Sequence, residues 1–100
     1  MKAERRLEIV NPSGLHARPL AKLIEVVLGF ECDVLVSNLT TDVGPVNARS
    51  MIGVLTLGVE CGHEILITAD GEDAEQVCER LADLVSNELM EIDEQDQALK

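Results

Sequence analysis

A lone histidine stands within residues 14–19 (GLHARP), where a loop gives way to a helix. The glycine of this segment permits a sharp turn, and its proline is tolerated only in the first turn of a helix. A helix therefore begins within a residue or two of His16, where unpaired N–H groups and the helix dipole favour an anion. Such an anion would be held by the N–H groups of Ala17 and Arg18 and by the Arg18 guanidinium. This pattern is typical of a histidine that accepts and releases a phosphoryl group, although His16 could instead be an ordinary helix cap.

A second residue that can carry a phosphoryl group has a similar setting. Ser50 follows Arg49 and opens another short predicted helix, so its hydroxyl is a candidate cap and a candidate phosphorylation site. We expect His16, Arg18 and Ser50 to lie close together at one end of the sheet, with the N-termini of the first and second helices converging there. Arg18, Lys22 and Arg49 would then give an acidic protein a locally basic face that steers an acidic or phosphorylated partner. Chance placement on a solvated helix is the alternative for Lys22.

Two motifs in this order and spacing resemble those of the HPr family, the histidine-containing phosphocarriers of bacterial sugar phosphotransferase systems. The motifs are GLHARP at 14–19 and VNARSMIGVLTLG at 46–58, and TADGED at 68–73 also fits. The resemblance covers about residues 6–87. It implies that Nδ1 of His16 accepts a phosphoryl group from phospho-Enzyme I and passes it to enzyme II A components, with Arg18 steadying its charge. The chain would then be a carrier and not an enzyme, and it would need no cofactor.

The resemblance also implies a regulatory site and a docking surface. The segment RSMIGV at 49–54 looks like the regulatory-serine segment on which an ATP-dependent HPr kinase/phosphorylase acts, with Ser50 as its target. Met51, Ile52 and Leu55 occupy the positions of the family's exposed apolar contact patch, although Ile52 or Leu55 could equally belong to the core. Two other functions stay open: a purely regulatory HPr-like protein, and a small acidic binding module in which the histidine is an unused cap.

Composition argues against several classes of protein. The formal net charge is −11 and the only aromatic residue is one Phe, so the basic face and stacking platforms of nucleic-acid-binding modules are missing. No run approaches the roughly 18 apolar residues of a spanning helix. Cys32, Cys61 and Cys78 are odd in number and widely spaced, which favours a reducing cytosol and no zinc site. We expect a cytoplasmic monomer that binds no metal or nucleic acid and does not enter a membrane, with His63 as a solvated turn residue.

Hydrophobic periodicity predicts the element order β-α-β-β-α-β-α. The predicted strands are 7–10, 32–37, 43–47 and 64–69, and the predicted helices are 17–28, 50–57 and 74–86. Helices that cover one face of a sheet make an α+β two-layer sandwich. The resemblance implies an HPr-like open-faced β-sandwich, in which three helices cover one face of a four-stranded antiparallel sheet. Residues 1–87 would form this domain, and the acidic extension 88–100 would be frayed.

Overall fold

Residues 1–98 are described by the structure, a computed structural model of the 100-residue chain. One antiparallel sheet contains the strands β1 (Lys2–Glu8), β2 (Asp33–Asn38), β3 (Val43–Asn47) and β4 (Glu64–Asp70), in the order β1-β4-β2-β3. The helices are α1 (Ala17–Leu28), α2 (Met51–Leu55), α3 (Ala74–Asp83) and α4 (Leu89–Ala98), and a π-helical turn (Leu84–Glu88) joins α3 to α4. None of the helices within residues 1–98 has the length and apolarity needed to cross a bilayer.

One face of the sheet is buried and the other is open to solvent. Along β4, Ile65, Ile67 and Ala69 are buried, whereas the residues between them are partly exposed. β2 alternates in the same way, with Val34 and Val36 turned inward. The helices cover the inward face, to which α1 contributes the buried residues Pro19, Leu20, Leu23, Ile24 and Val27. The predicted α+β open-faced sandwich is therefore confirmed.

The strand β1 differs most from its prediction, since it begins at Lys2 and not at Leu7. Over its seven residues it pairs with β4 in an antiparallel ladder. Ala3 and Leu7 face the core while Glu4 and Arg6 face solvent. A strand that is covered on one face only needs few apolar residues, so a search for an apolar run missed its first half.

The strand β3 has both of its predicted ends and lies at the edge of the sheet, because it pairs only with β2. An edge position suits Pro45, whose ring nitrogen can donate no hydrogen bond to a further strand. The ladder between β2 and β3 shifts register between Val36 and Asn38. The strands β2 and β4 and the helices α1 and α2 differ from their predicted ranges by at most two residues at either end.

Residues 88–98 do not form the frayed extension that their acidic composition predicted. The π-helical turn leads directly into α4, and Arg80 holds this turn by donating to both carboxylate oxygens of Glu88 at 2.5 and 3.3 Å. Leu89 is fully buried and Asp93 is buried beside residues 11–13. Tertiary packing of these two residues outweighs the local composition. Residues 99–100, the end of the predicted extension, lie outside the described part of the chain.

Candidate functional site

His16 occupies the residue just before α1, as predicted, with extended backbone angles of φ −129° and ψ 162°. Its side chain makes no capping hydrogen bond, and its carbonyl accepts from the N–H of Leu20 at 3.4 Å. The imidazole is 36% exposed. The interpretation of His16 as an ordinary side-chain cap is therefore wrong, and its ring remains available for chemistry.

The loop before His16 is fixed by close backbone contacts. Gly14 has a φ of +65°, and a Cβ at this position would lie 2.3 Å from the carbonyl oxygen of Val59, so only glycine fits. Leu15 donates its N–H to the same carbonyl at 3.0 Å. Ala17 has a φ of +49°, a left-handed conformation that is unusual for a residue with a side chain. The first N–H groups of an α-helix have no acceptor one turn earlier in the same helix, and α1 begins directly after His16.

Glu60 is the partner of the His16 ring, and sequence reasoning missed it. Its Oε1 lies 3.2 Å from Nε2 of His16. The contact makes Nε2 the donor, because the carboxylate can only accept, so in the neutral ring the lone pair lies on Nδ1. Glu60 is separated from His16 by 44 residues, and no motif in the sequence marks this pairing.

His63 holds Glu60 in position through a hydrogen bond to its backbone. Its Nδ1 accepts from the N–H of Glu60 and from the side-chain amide of Asn38, both at 3.1 Å. Asn38 is buried and also donates to the carbonyl of Leu57 at 3.0 Å. A backbone N–H can only donate, so Nδ1 of His63 is the accepting nitrogen in this arrangement. The prediction of a solvated turn histidine is wrong: His63 is half-buried and organises the loop that carries Glu60.

The other predicted basic residues do not all reach this site. Arg18 is exposed on the first turn of α1, two residues after His16, as expected. Lys22 pairs with Glu25 one turn further along the same helix, with Nζ 3.7 Å from the carboxylate. Arg49 donates to the carbonyl oxygens of Phe30 and Cys32 at 2.6 and 2.9 Å, beyond the far end of α1. Since a 12-residue helix is about 18 Å long, the predicted basic face around His16 does not include Arg49.

Ser50 caps α2, and its Oγ accepts from the N–H of Gly53 at 3.0 Å. Its neighbour Arg49 anchors this end of α2 near the C-terminal end of α1, and the chain reaches His16 only at Glu60. The expectation that the N-termini of α1 and α2 converge is therefore wrong. Ser50 is exposed, so its hydroxyl is accessible in addition to being a cap.

Three exposed apolar side chains on α2, Met51, Ile52 and Leu55, form what we call the apolar patch. Ile52 is 77% exposed, and the buried residue of this helix is Val54. The alternative assignment of Ile52 or Leu55 to the core is thus excluded. The patch lies on the helix that connects the Ser50 end of the molecule with the loop that carries Glu60.

A buried carboxylate holds the other side of the His16 loop. We call the hydrogen bonds from Asn11 and Ser13 to Asp93 the clasp. Asp93 of α4 is 5% exposed and accepts from the Asn11 side chain at 3.0 Å. It also accepts from Ser13, from the N–H at 3.0 Å and from the hydroxyl at 2.6 Å. Burial alone would raise the pKa of Asp93, but the hydrogen bonds from Ser13 and Asn11 outweigh it and hold this pKa below its usual range.

The three cysteines are free. Burial of Cys32, followed by its hydrogen bond to the Asp73 carboxylate, raises the pKa of this thiol to about 11. The same hydrogen bond lowers the pKa of Asp73. Among residues 1–95, whose side chains the structure describes, no three of the His, Cys, Asp or Glu type converge on a position that could hold a metal ion.

Residues 3–87 match the PTS-HPr family, described as the PTS HPr component phosphorylation site. The chain belongs to the HPr phosphocarrier family. It is 41% identical over 92 residues to the phosphocarrier protein HPr of Streptomyces coelicolor, which covers 92% of this chain and 97% of that protein. Among solved structures, HPr-C-His from Thermoanaerobacter tengcongensis has a TM-score of 0.81 and 33% identity, covering 87% of this chain and 94% of that one.

HPr segments also occur inside longer relatives. Over 76 residues the chain is 41% identical to the multiphosphoryl transfer protein of Salmonella typhimurium, which covers 76% of this chain but 20% of that protein. The chain thus spans about a fifth of the length of the multiphosphoryl transfer proteins that it matches. The match to the family model ends at residue 87, so Asp93 lies outside the residues of that match.

Proposed function

We propose that this HPr family member carries phosphoryl groups on Nδ1 of His16, which accepts them from phospho-Enzyme I and passes them to enzyme II A components. The observation that carries the proposal is the contact of Nε2 with Glu60 at 3.2 Å. It leaves the lone pair of an accessible imidazole on Nδ1, beside the N-terminus of α1. A neutral imidazole is a good nucleophile near neutral pH, and a helix N-terminus favours the incoming negative charge.

The transfer exchanges one phosphorus–nitrogen bond for another. Nδ1 of His16 attacks the phosphorus as the bond to the donor's imidazole breaks, and the donor ring leaves with the electron pair. His16 keeps its Nε2 proton, so the phosphorylated ring is positively charged and faces the Glu60 carboxylate. On onward transfer the bond between phosphorus and Nδ1 breaks and the ring departs as a neutral imidazole, so the forward and reverse steps break and form the same kind of bond. Arg18 and the first N–H groups of α1 would steady the phosphoryl charge in both directions.

The apolar patch on α2 would supply the docking surface for the partner proteins. Its three side chains are too exposed to contribute much to the core, and exposed apolar groups clustered on one helix favour association. Ser50 begins this helix, so an HPr kinase/phosphorylase that modified it would place about two negative charges beside the patch. The expected result is weaker docking of Enzyme I with the fold intact.

Incubation with phosphoenolpyruvate, Enzyme I and magnesium tests the proposal. We expect one acid-labile, base-stable phosphoryl group per chain, which mass spectrometry places on the peptide that contains His16. His16→Ala should abolish labelling and leave the circular dichroism spectrum unchanged, because the ring caps nothing and is partly exposed. Labelling that persists in this variant would transfer the acceptor role to His63 and overturn the proposal.

A further inference from the structure

The loop that presents His16 is held from two sides. On one side, the carbonyl of Val59 accepts from Leu15 and packs against Gly14. On the other side stands Asp93, which comes from α4 and is separated from Ser13 by 80 residues in sequence.

Both carboxylate oxygens of Asp93 accept hydrogen bonds. Oδ2 accepts from the Asn11 side chain and the Ser13 N–H, each at 3.0 Å, and Oδ1 accepts from the Ser13 hydroxyl at 2.6 Å. Asn11 is fully buried and donates its second N–H to the carbonyl of Gly14 at 3.0 Å. The side-chain oxygen of Asn11 has no partner in the described part of the chain, so its amide is oriented by its donors.

The side of α4 on which Asp93 lies directs its carboxylate toward this loop. Leu89 and Asp93 are four residues apart and therefore share one side of α4. Both are buried, whereas Glu94 next to them is exposed. Burial of Leu89 fixes the rotation of the helix and thereby the direction of the carboxylate.

We propose that Asp93 is a positioning residue for phosphoryl transfer, which holds residues 11–14 so that His16 and the N-terminus of α1 face the incoming phosphoryl group together. This inference rests on the proposed function. It adds a role for the segment beyond residue 87, where the match to the family model ends. Positioning of this kind acts on the reaction rate, because small displacements of a nucleophile change the rate strongly.

The test uses phosphoramidate, a small phosphoryl donor that needs no protein partner. Nδ1 of His16 attacks its phosphorus, the phosphorus–nitrogen bond breaks, and ammonia leaves. Asp93→Ala removes all three hydrogen bonds, whereas Asp93→Asn can keep them, since its oxygen can accept from Asn11 and the Ser13 N–H while its amide donates to the Ser13 hydroxyl. Glu94→Ala is the matched control, because it removes an exposed carboxylate from the same helix turn.

At a temperature where circular dichroism shows every variant folded, we expect Asp93→Ala to accept phosphoryl groups about tenfold more slowly than the parent chain. Asp93→Asn should stay within about threefold of the parent, as expected for a variant that keeps the geometry and loses only charge assistance. Glu94→Ala should match the parent. Amide hydrogen exchange at Ser13 should accelerate in Asp93→Ala alone, which reports on the loop independently of activity.

A parental rate in Asp93→Ala would overturn the proposal, and so would an Asp93→Asn variant as slow as Asp93→Ala, since charge and not geometry would then matter. If Asp93→Ala does not fold, Ser13→Ala decides: a rate about threefold below the parent supports the clasp, and a parental rate refutes it. If phosphoramidate phosphorylates the parent but phospho-Enzyme I does not, the proposed function is refuted. The rates measured with phosphoramidate then still decide whether Asp93 positions His16. Failure with both donors overturns both.

Discussion

Nε2 of His16 and Oε1 of Glu60 lie 3.2 Å apart, although the two residues are 44 positions apart in the chain. In the neutral ring, the contact places the proton on Nε2 and the lone pair on Nδ1. It also depends on a further histidine, because His63 accepts the N–H of Glu60 and so holds the loop in place. The two histidines of the protein thus have separate tasks: the ring of His16 is available for chemistry and the ring of His63 supports its partner.

Glu60→Gln should slow the transfer of phosphoryl groups to His16. The variant keeps an oxygen that accepts from Nε2 but removes the carboxylate that faces the positively charged phosphorylated ring. Because Glu60 is 60% exposed, the pair is worth at most about 1 kcal/mol, so we expect a loss of about fivefold or less. Single-turnover labelling with phospho-Enzyme I measures it. Glu72→Gln, which neutralises an exposed carboxylate away from His16, is the control, and equal rates for all three chains would contradict this role of Glu60.

Ser50→Asp should raise the KM for Enzyme I with little change in thermal stability. Aspartate retains a cap acceptor for the N–H of Gly53 and its charge is favourable at a helix N-terminus. Ser50→Ala should instead lose about 1 kcal/mol of stability and keep the parental KM. Steady-state kinetics and thermal melts separate the two effects. Ser86→Asp adds the same charge at an exposed position away from α2, and a KM that rises equally there would speak against a local effect.

Asp93 should make the protein sensitive to acid. The hydrogen bonds from Ser13 and Asn11 hold the pKa of this carboxyl below its ordinary value of 3.8. A carboxyl with a lowered pKa contributes stability that is complete above its unfolded value and is lost as pH falls through its folded value. The free energy of unfolding of the parent should therefore exceed that of Asp93→Asn at pH 7, and the difference should shrink below about pH 4. Urea titrations at both pH values measure it, and a difference that does not change with pH would contradict the ionised clasp.

The three cysteines should differ in reactivity. With a pKa of about 11, Cys32 is a thiolate in about one molecule in a thousand at pH 8, and it is also buried. Burial likewise raises the pKa of Cys78, whereas Cys61 is exposed. Iodoacetamide should thus modify Cys61 in the folded protein and spare the other two until urea is added. Mass spectrometry of the alkylated peptides checks this, and rapid modification of native Cys32 would mean that its environment opens in solution.

The parts of the site that follow from local rules could be predicted from the sequence. Gly14 and Pro19 restrict the backbone on either side of His16, so the start of α1 could be placed from these residues alone. The positions of β3, with its edge proline, and of Ser50 as a cap could be predicted for the same reason. Each depends on the conformational limits of one or two residues.

The contacts made across the fold could not be predicted in this way. Glu60 and Asp93 reach the His16 loop through tertiary packing, and neither stands in a pattern that marks its partner. Arg49 lies in the turn before α2 and has a long side chain, and only the structure shows that it binds the carbonyls of Phe30 and Cys32. The acidic residues of the extension 88–98 predict a frayed segment, but the burial of Leu89 decides its conformation.

The direction in which Asp93 points depends on the number of residues in the π-helical turn between α3 and α4. Each residue advances an α-helix by about 100°, so the length of this turn sets the phase in which α4 leaves α3. Deleting one residue from Leu84–Glu88 would swing Asp93 away from Ser13 without altering any side chain of the clasp. In this part of the chain, insertions and deletions are therefore as consequential for the His16 loop as substitutions within it.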